Sequence, residues 1–207
     1  AKRLPDSPWA GYFCPWITHR VGDRLEDYKL ALFRRGFTAR GRVHENMQTD
    51  LRARGARAAW CADLVIDHHP DAQRRDVKRE WYRQRLECAI RKDPGWIRYH
   101  WFRGYIAHRE GDAAMAEAML NIAAASRSGQ FPVECLNAHL VLAERHAGRD
   151  DRDGTARILA AAADFLSTVA EDCEVRINFR LPPWIRHAMD AAREGRLDEV
   201  RSYEFAC

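Results

Sequence analysis

Residues 86–125 read LECAIRKDPGWIRYHWFRGYIAHREGDAAMAEAMLNIAAA, and the architecture turns on them. Leading into this stretch, Val77, Trp81, Leu86, Ala89 and Ile90 recur at helical spacing. Pro94 disfavours α geometry in the residue before it, so this helix must end near Asp93. The next helix spans 97–108 and closes at Gly111-Asp112, and another spans 113–125 until Ser126-Arg127-Ser128-Gly129 breaks it. Small residues fall where paired helices have to touch. Ala89, Pro94, Gly104, Ala107, Gly111, Ala116, Leu120 and Ala123 share one register of a repeat of about 34 residues. In that register Gly104 permits close approach, Gly111 takes the turn and Ala116 packs back on the first helix.

The pattern continues toward the C-terminus. A second pair spans 133–146 and 155–170, with four consecutive alanines suited to tight packing, and a third pair is suggested by 184–194 and 197–205. The connections 149–154 and 171–183 read as irregular, so the array is degenerate. Residues 74–207 thus resemble tetratricopeptide (TPR) repeats, antiparallel α-helical hairpins stacked in series. Such a region either holds a peptide or partner chain on a concave surface, or caps and dimerises what precedes it. The degeneracy favours the second use.

Residues 1–73 read differently. Gly11-Tyr12-Phe13-Cys14-Pro15-Trp16-Ile17 is strand-like, and 28–35 (YKLALFRR) alternates apolar and polar residues at period two. Another apolar run, 58–66 (AAWCADLVI), ends in Asp67-His68-His69-Pro70. A small β-containing unit followed by helical hairpins makes the fold class α+β.

Composition narrows the function classes. Residues 1–73 carry 12 Lys/Arg against 9 Asp/Glu and the remainder 22 against 21, with the two signs interleaved throughout. That pattern suits an anionic small molecule or membrane surface at least as well as nucleic acid, and no nucleic-acid partner is expected. No stretch reaches the ~18 consecutive apolar residues of a membrane span, and residues 1–10 lack a secretory pattern, so a cytoplasmic or membrane-peripheral protein is expected. Cys14, Cys61, Cys88, Cys135, Cys173 and Cys207 contain no C-x-x-C pair and several fall within apolar patterns, which reads as buried thiols in a reducing compartment.

Three polar clusters interrupt the first unit: Arg34-Arg35, Val43-His44-Glu45 and Ile66-Asp67-His68-His69-Pro70. The His44-Glu45 pair is no H-E-x-x-H zinc motif, because Gln48 stands where the second His belongs. Taken in order, Tyr28-Lys29-Leu30, Leu32-Phe33-Arg34-Arg35, Gly41-Arg42-Val43-His44-Glu45 and Ile66-Asp67-His68-His69-Pro70, then a helix with Lys78 and Asp93-Pro94, resemble the C-terminal half of the catalytic domain of bacterial family-2 glycosyltransferases. The resemblance runs to about residue 125. It implies that residues 1–73 are the acceptor-side portion of an inverting GT-A catalytic domain and 74–207 a TPR-like domain. The reaction would move a sugar from a nucleotide-sugar donor to a glycan, lipid or peptide acceptor. It further implies Glu45 as the base, His44 orienting it or the acceptor, Arg34 and Arg35 on phosphate, and His68 toward the metal or diphosphate. In the complete enzyme a divalent cation (Mn or Mg) would neutralise the leaving diphosphate.

The sequence also departs from that pattern. The nucleotide-binding half with its D-x-D motif is not represented, and Asp151-Arg152-Asp153 sits in a polar connection read as a solvated turn. The chain alone is therefore expected to bind neither nucleotide sugar nor metal, and to act with a partner chain or as a homodimer through its repeats. Trp9, Phe13 and Trp16 are expected to be left exposed beside the site. Two other readings stay open: a non-catalytic TPR-like interaction module, and a metalloprotein built on His44, Glu45, His68 and His69.

Overall fold

The computed structural model describes residues 8–20, 23–70 and 75–203. They fall into two compact units divided between Arg79 and Glu80. Among the described residues there are four strands in one mixed sheet and eight α-helices, an α+β composition.

In the first unit β1 (Gly11–Arg20) is the middle strand. It pairs antiparallel with β2 (Asp23–Phe33) along one edge, with a register shift between Tyr12 and Phe13. A short helix, α1 (Gln48–Ala53), follows β2 and was not expected from periodicity. The opposite edge of β1 carries two short parallel strands in succession: β3 (Ala58–Trp60) beside Gly11–Phe13, and β4 (Ile66–His68) beside Trp16–Thr18. The 58–66 run is thus not one strand. Five residues on it oppose only Cys14 and Pro15, and Pro15 has no N–H to offer a ladder, so pairing lapses there.

Phe13 is 1% exposed and packs edge-on against Tyr28 with ring centroids 5.7 Å apart. The expectation of a stranded Phe13 is therefore corrected, and Trp9 and Trp16 are half-buried rather than exposed. Arg57 lies over the Trp9 ring and Lys29 over that of Trp16. The exposed apolar side chains are instead Phe33, Trp60 and Val65, at strand ends and in the break between β3 and β4.

The helix α2 (Arg75–Lys92) crosses from one unit into the other. Of its expected apolar face only Leu86 and Ala89 are buried; Val77 and Trp81 are exposed, Arg85 lying over the Trp81 ring.

The second unit continues with α3 (Ile97–Glu110), α4 (Ala113–Ala125), α5 (Pro132–Ala147) and α6 (Arg152–Val169), each packed on the next. Gly111 ends α3 in the left-handed region (φ 80°), and Asp112 caps α4 by accepting from the Met115 amide at 3.1 Å. The two-residue turn folds α4 back on α3. In addition α3 touches α5, and α5 is buried along nearly its whole length.

Three expectations fail in this unit. The helix α6 starts at Arg152, because Asp151 is its cap and accepts from the Gly154 amide at 2.9 Å. The Asp151-Arg152-Asp153 triplet is thus a helix start rather than a loop. A further helix, α7 (Cys173–Ile177), lies in the supposedly irregular connection, capped by Asp172, and α8 (Leu181–Arg193) begins on its two prolines. The last expected helix is absent among the described residues. Leu197–Glu199 is one 3-10 turn, after which the chain runs extended over α5 and α8. Tertiary bonds replace helical ones: the Trp184 indole donates to the Arg201 carbonyl at 2.5 Å, and Glu144 accepts from the Ser202 amide at 3.0 Å.

Candidate functional site

The Val43-His44-Glu45 cluster lies in a loop closed by paired backbone bonds, Arg40 N–H to Asn46 O at 2.9 Å and Asn46 N–H to Arg40 O at 2.8 Å. Val43 plugs the loop and is 5% exposed. The chain turns through Gly41 at φ 106° and His44 at φ 51°. Left-handed geometry is uncommon for a residue with a β-carbon and costs of order 1 kcal/mol, so packing must enforce it at His44. The outcome is a half-buried His44 and a Glu45 open to solvent.

Asp50 braces this loop from α1. Its carboxylate accepts from the Thr38 amide at 3.0 Å and from Arg40 at 3.3 Å, and Arg54 approaches at 2.9 Å. The Thr38 bond first, then the two guanidiniums, hold its pKa below the ordinary carboxylate value, outweighing its burial. Sequence reading missed Asp50. Its signal was available in principle: an acidic residue in the first turn of a short helix, with Arg four residues later.

His68 stands at the other end of the sheet. Its ring lies 5.4 Å from that of Trp16, and Nδ1 is 3.4 Å from Thr18 Oγ1. The opposite face at this end carries a second group. His19 Nε2 meets Asp67 at 2.6 Å and its ring stacks on His69 at 4.4 Å. The His19 bond, ahead of the charges of His19, His69 and Arg24, holds Asp67 below its ordinary pKa. His68 and His69 therefore turn to opposite faces, as successive positions along extended chain do, and they do not share one ion. This removes the four-residue metalloprotein reading. Among the described residues no group of three or more His, Cys, Asp and Glu side chains is placed to hold a metal.

Arg34 and Arg35 lie at the opposite end from His68. The Arg34 amide bonds to Ala10 O, whereas His68 pairs with Thr18. Eight residues of strand at ~3.3 Å each separate these points by roughly 26 Å. The two arginines and His68 are thus not brought together. Both arginines are exposed.

No helix among the described residues is long and apolar enough to cross a membrane. No protein-family model, curated protein or solved structure matches the chain.

Proposed function

We propose that residues 1–73 form the acceptor side of an inverting glycosyltransferase of the family-2 type, with Glu45 as its general base. The observation that supports this most is the clamped loop: strained backbone at His44 presents an accessible carboxylate on a segment closed by two backbone bonds and braced from α1. Strain that packing must maintain is characteristic of sites where one side chain has to be held in place. A base of this kind takes the acceptor hydroxyl proton. The acceptor oxygen attacks the anomeric carbon on the face opposite the leaving group, and the carbon–oxygen bond to the nucleoside diphosphate breaks with its electrons leaving on the diphosphate. His44, the residue before the base, positions Glu45 or the acceptor.

Arg34 and Arg35 supply cationic contacts to a phosphate, and His68, a sheet length away, is the residue for the metal or diphosphate of the complete enzyme. A divalent cation (Mn or Mg) would find at His68 one imidazole and no surrounding set of three ligating side chains among the described residues. The donor set does not fit a complete site, and no step is assigned to a metal. The second unit is a TPR-like scaffold for a partner chain or homodimer. In its support, α3 packs on both α4 and α5, so alternate helices touch as they do in such arrays.

The test uses the product of the full reading frame with a panel of nucleotide sugars. Glu45→Gln should abolish transfer while leaving donor affinity within about twofold, since only the proton acceptor is lost. Unchanged turnover would remove Glu45 from the mechanism. Absence of transfer by the wild-type protein with every donor would remove the reading.

A further inference from the structure

On the edge of β1 away from β2, Phe13 pairs with Trp60 in parallel register, and the Cys61 amide donates to the Phe13 carbonyl at 2.9 Å. One step further along each chain stand Cys14 and Cys61. The pair stands just past the last ladder position, where the Cys61 amide still bonds to β1, and residues level with one another on neighbouring strands carry their side chains on the same face. Adjacent strands lie about 4.7–4.9 Å apart, within the Cα separation of about 4.4–6.8 Å that a disulfide accepts. Both thiols are free, and they lie near enough to influence each other electrostatically; the Cys14 thiol also donates to the Tyr12 carbonyl at 3.8 Å.

The pair is asymmetric. Cys14 is 0% exposed, whereas Cys61 is half-buried at the point where the chain leaves the sheet. Burial, ahead of the neighbouring thiol, raises the Cys14 pKa, so Cys14 is the poorer first nucleophile. The remaining described cysteines, Cys88, Cys135 and Cys173, belong to the helical unit.

We propose that Cys14 and Cys61 are a reversible redox pair that closes to a disulfide under a low-molecular-weight disulfide oxidant. The Cys61 thiolate attacks one sulfur of the oxidant and forms a mixed disulfide. The other sulfur leaves with the electron pair and takes up the proton that Cys61 released. Cys14 then loses its proton and attacks Cys61 Sγ, expelling the second small thiol. Two protein thiols are oxidised and the oxidant disulfide is reduced to two thiols. The new bond encloses β2, the Val43-His44-Glu45 loop and α1 in one covalent ring, and so restricts the unfolded chain around the candidate site.

The experiment treats the whole native chain with oxidised glutathione and maps its peptides by mass spectrometry, without prior reduction. The expected product is a Cys14–Cys61 cross-linked peptide, lighter by two hydrogens than the separate peptides and reversed by dithiothreitol. Cys14→Ser should stop at a glutathione adduct on Cys61, and Cys61→Ser should leave Cys14 unmodified while the fold persists. A stable glutathione adduct on wild-type Cys61 with no cross-link would overturn the proposal, as would no reaction at either residue. The wild-type map decides the matter even if a serine variant fails to fold.

Discussion

A β-carbon on Gly104 of α3 would lie 2.8 Å from Leu120 Cγ and 3.0 Å from the Leu120 backbone nitrogen on α4. Leu120 is fully buried and has no room to withdraw. This contact sets how closely the first hairpin closes. Gly104→Ala gains about 1 kcal/mol of helix propensity but overpacks the crossing by about 1–3 kcal/mol, so a net loss of up to about 2 kcal/mol is expected. Urea unfolding measures it. Leu120→Ala on its own leaves a cavity, but combined with Gly104→Ala it should cost about 1 kcal/mol less than the two losses added. Strict additivity would mean that the two side chains do not compete for one space.

Asp50 concerns the first unit and acid. Its folded pKa is lowered, so its contribution is present above the unfolded carboxylate value of about 3.9 and is lost as pH falls through the folded value. Asp50→Asn should lower the unfolding midpoint of this unit at about pH 7, and the gap to wild type should narrow toward about pH 3. A gap independent of pH would show that charge plays no part in bracing the loop.

His139 has the opposite chemistry in the second unit. It is 6% exposed on α5, its Nδ1–H donates to the Cys135 carbonyl at 2.8 Å, and burial holds its pKa below the ordinary histidine value. The unfolded chain then binds more protons than the folded one, so stability is full above about pH 6.5 and declines as pH falls through it. His108, lowered chiefly by burial, acts in the same direction. His139→Gln keeps a donor for Cys135 without titrating. The loss of stability between about pH 7.5 and pH 5.5 should be smaller in that variant, leaving the His108 share.

Tyr203 ties the extended C-terminal segment to α5. Its hydroxyl donates to Asn137 Oδ1 at 2.8 Å and accepts from Asn178 Nδ2 at 3.3 Å, and both asparagines are buried. Tyr203→Phe strips both partners, and a cost of about 1–3 kcal/mol is expected. Faster cleavage by a protease near residues 200–203 should accompany it. Protection equal to wild type would mean that Val200 and the Trp184 bond to Arg201 suffice to hold the segment.

The helical unit was legible because its signals are local. Periodicity, Gly111, Pro94 and the small-residue register lie within a few turns of the groups they govern, and they placed α2 to α5 within a residue or two. Where the partner of a backbone group is distant, sequence reading failed. Residues 200–203 have an apolar pattern compatible with a helix, yet their bonds go to Glu144 and Trp184. Likewise α7 depends on Asp172 as a cap, which ranks below proline and glycine as a local marker.

For the candidate site the division is similar. The sequence by itself determined which chemistry is present: a His-Glu dipeptide between glycine-marked turns, an arginine pair after a strand, and histidines at the end of an apolar run. Only the tertiary structure decided which of these share a place. Strand order and register put Arg34 and His68 at opposite ends of β1, and pleat alternation turned His68 and His69 apart. Burial of Asp50 gave the Glu45 loop its brace. Residue type and short-range spacing act through bonds a few residues long, whereas convergence depends on pairings up to 50 residues apart, such as Thr18 with His68, and no local pattern encodes these.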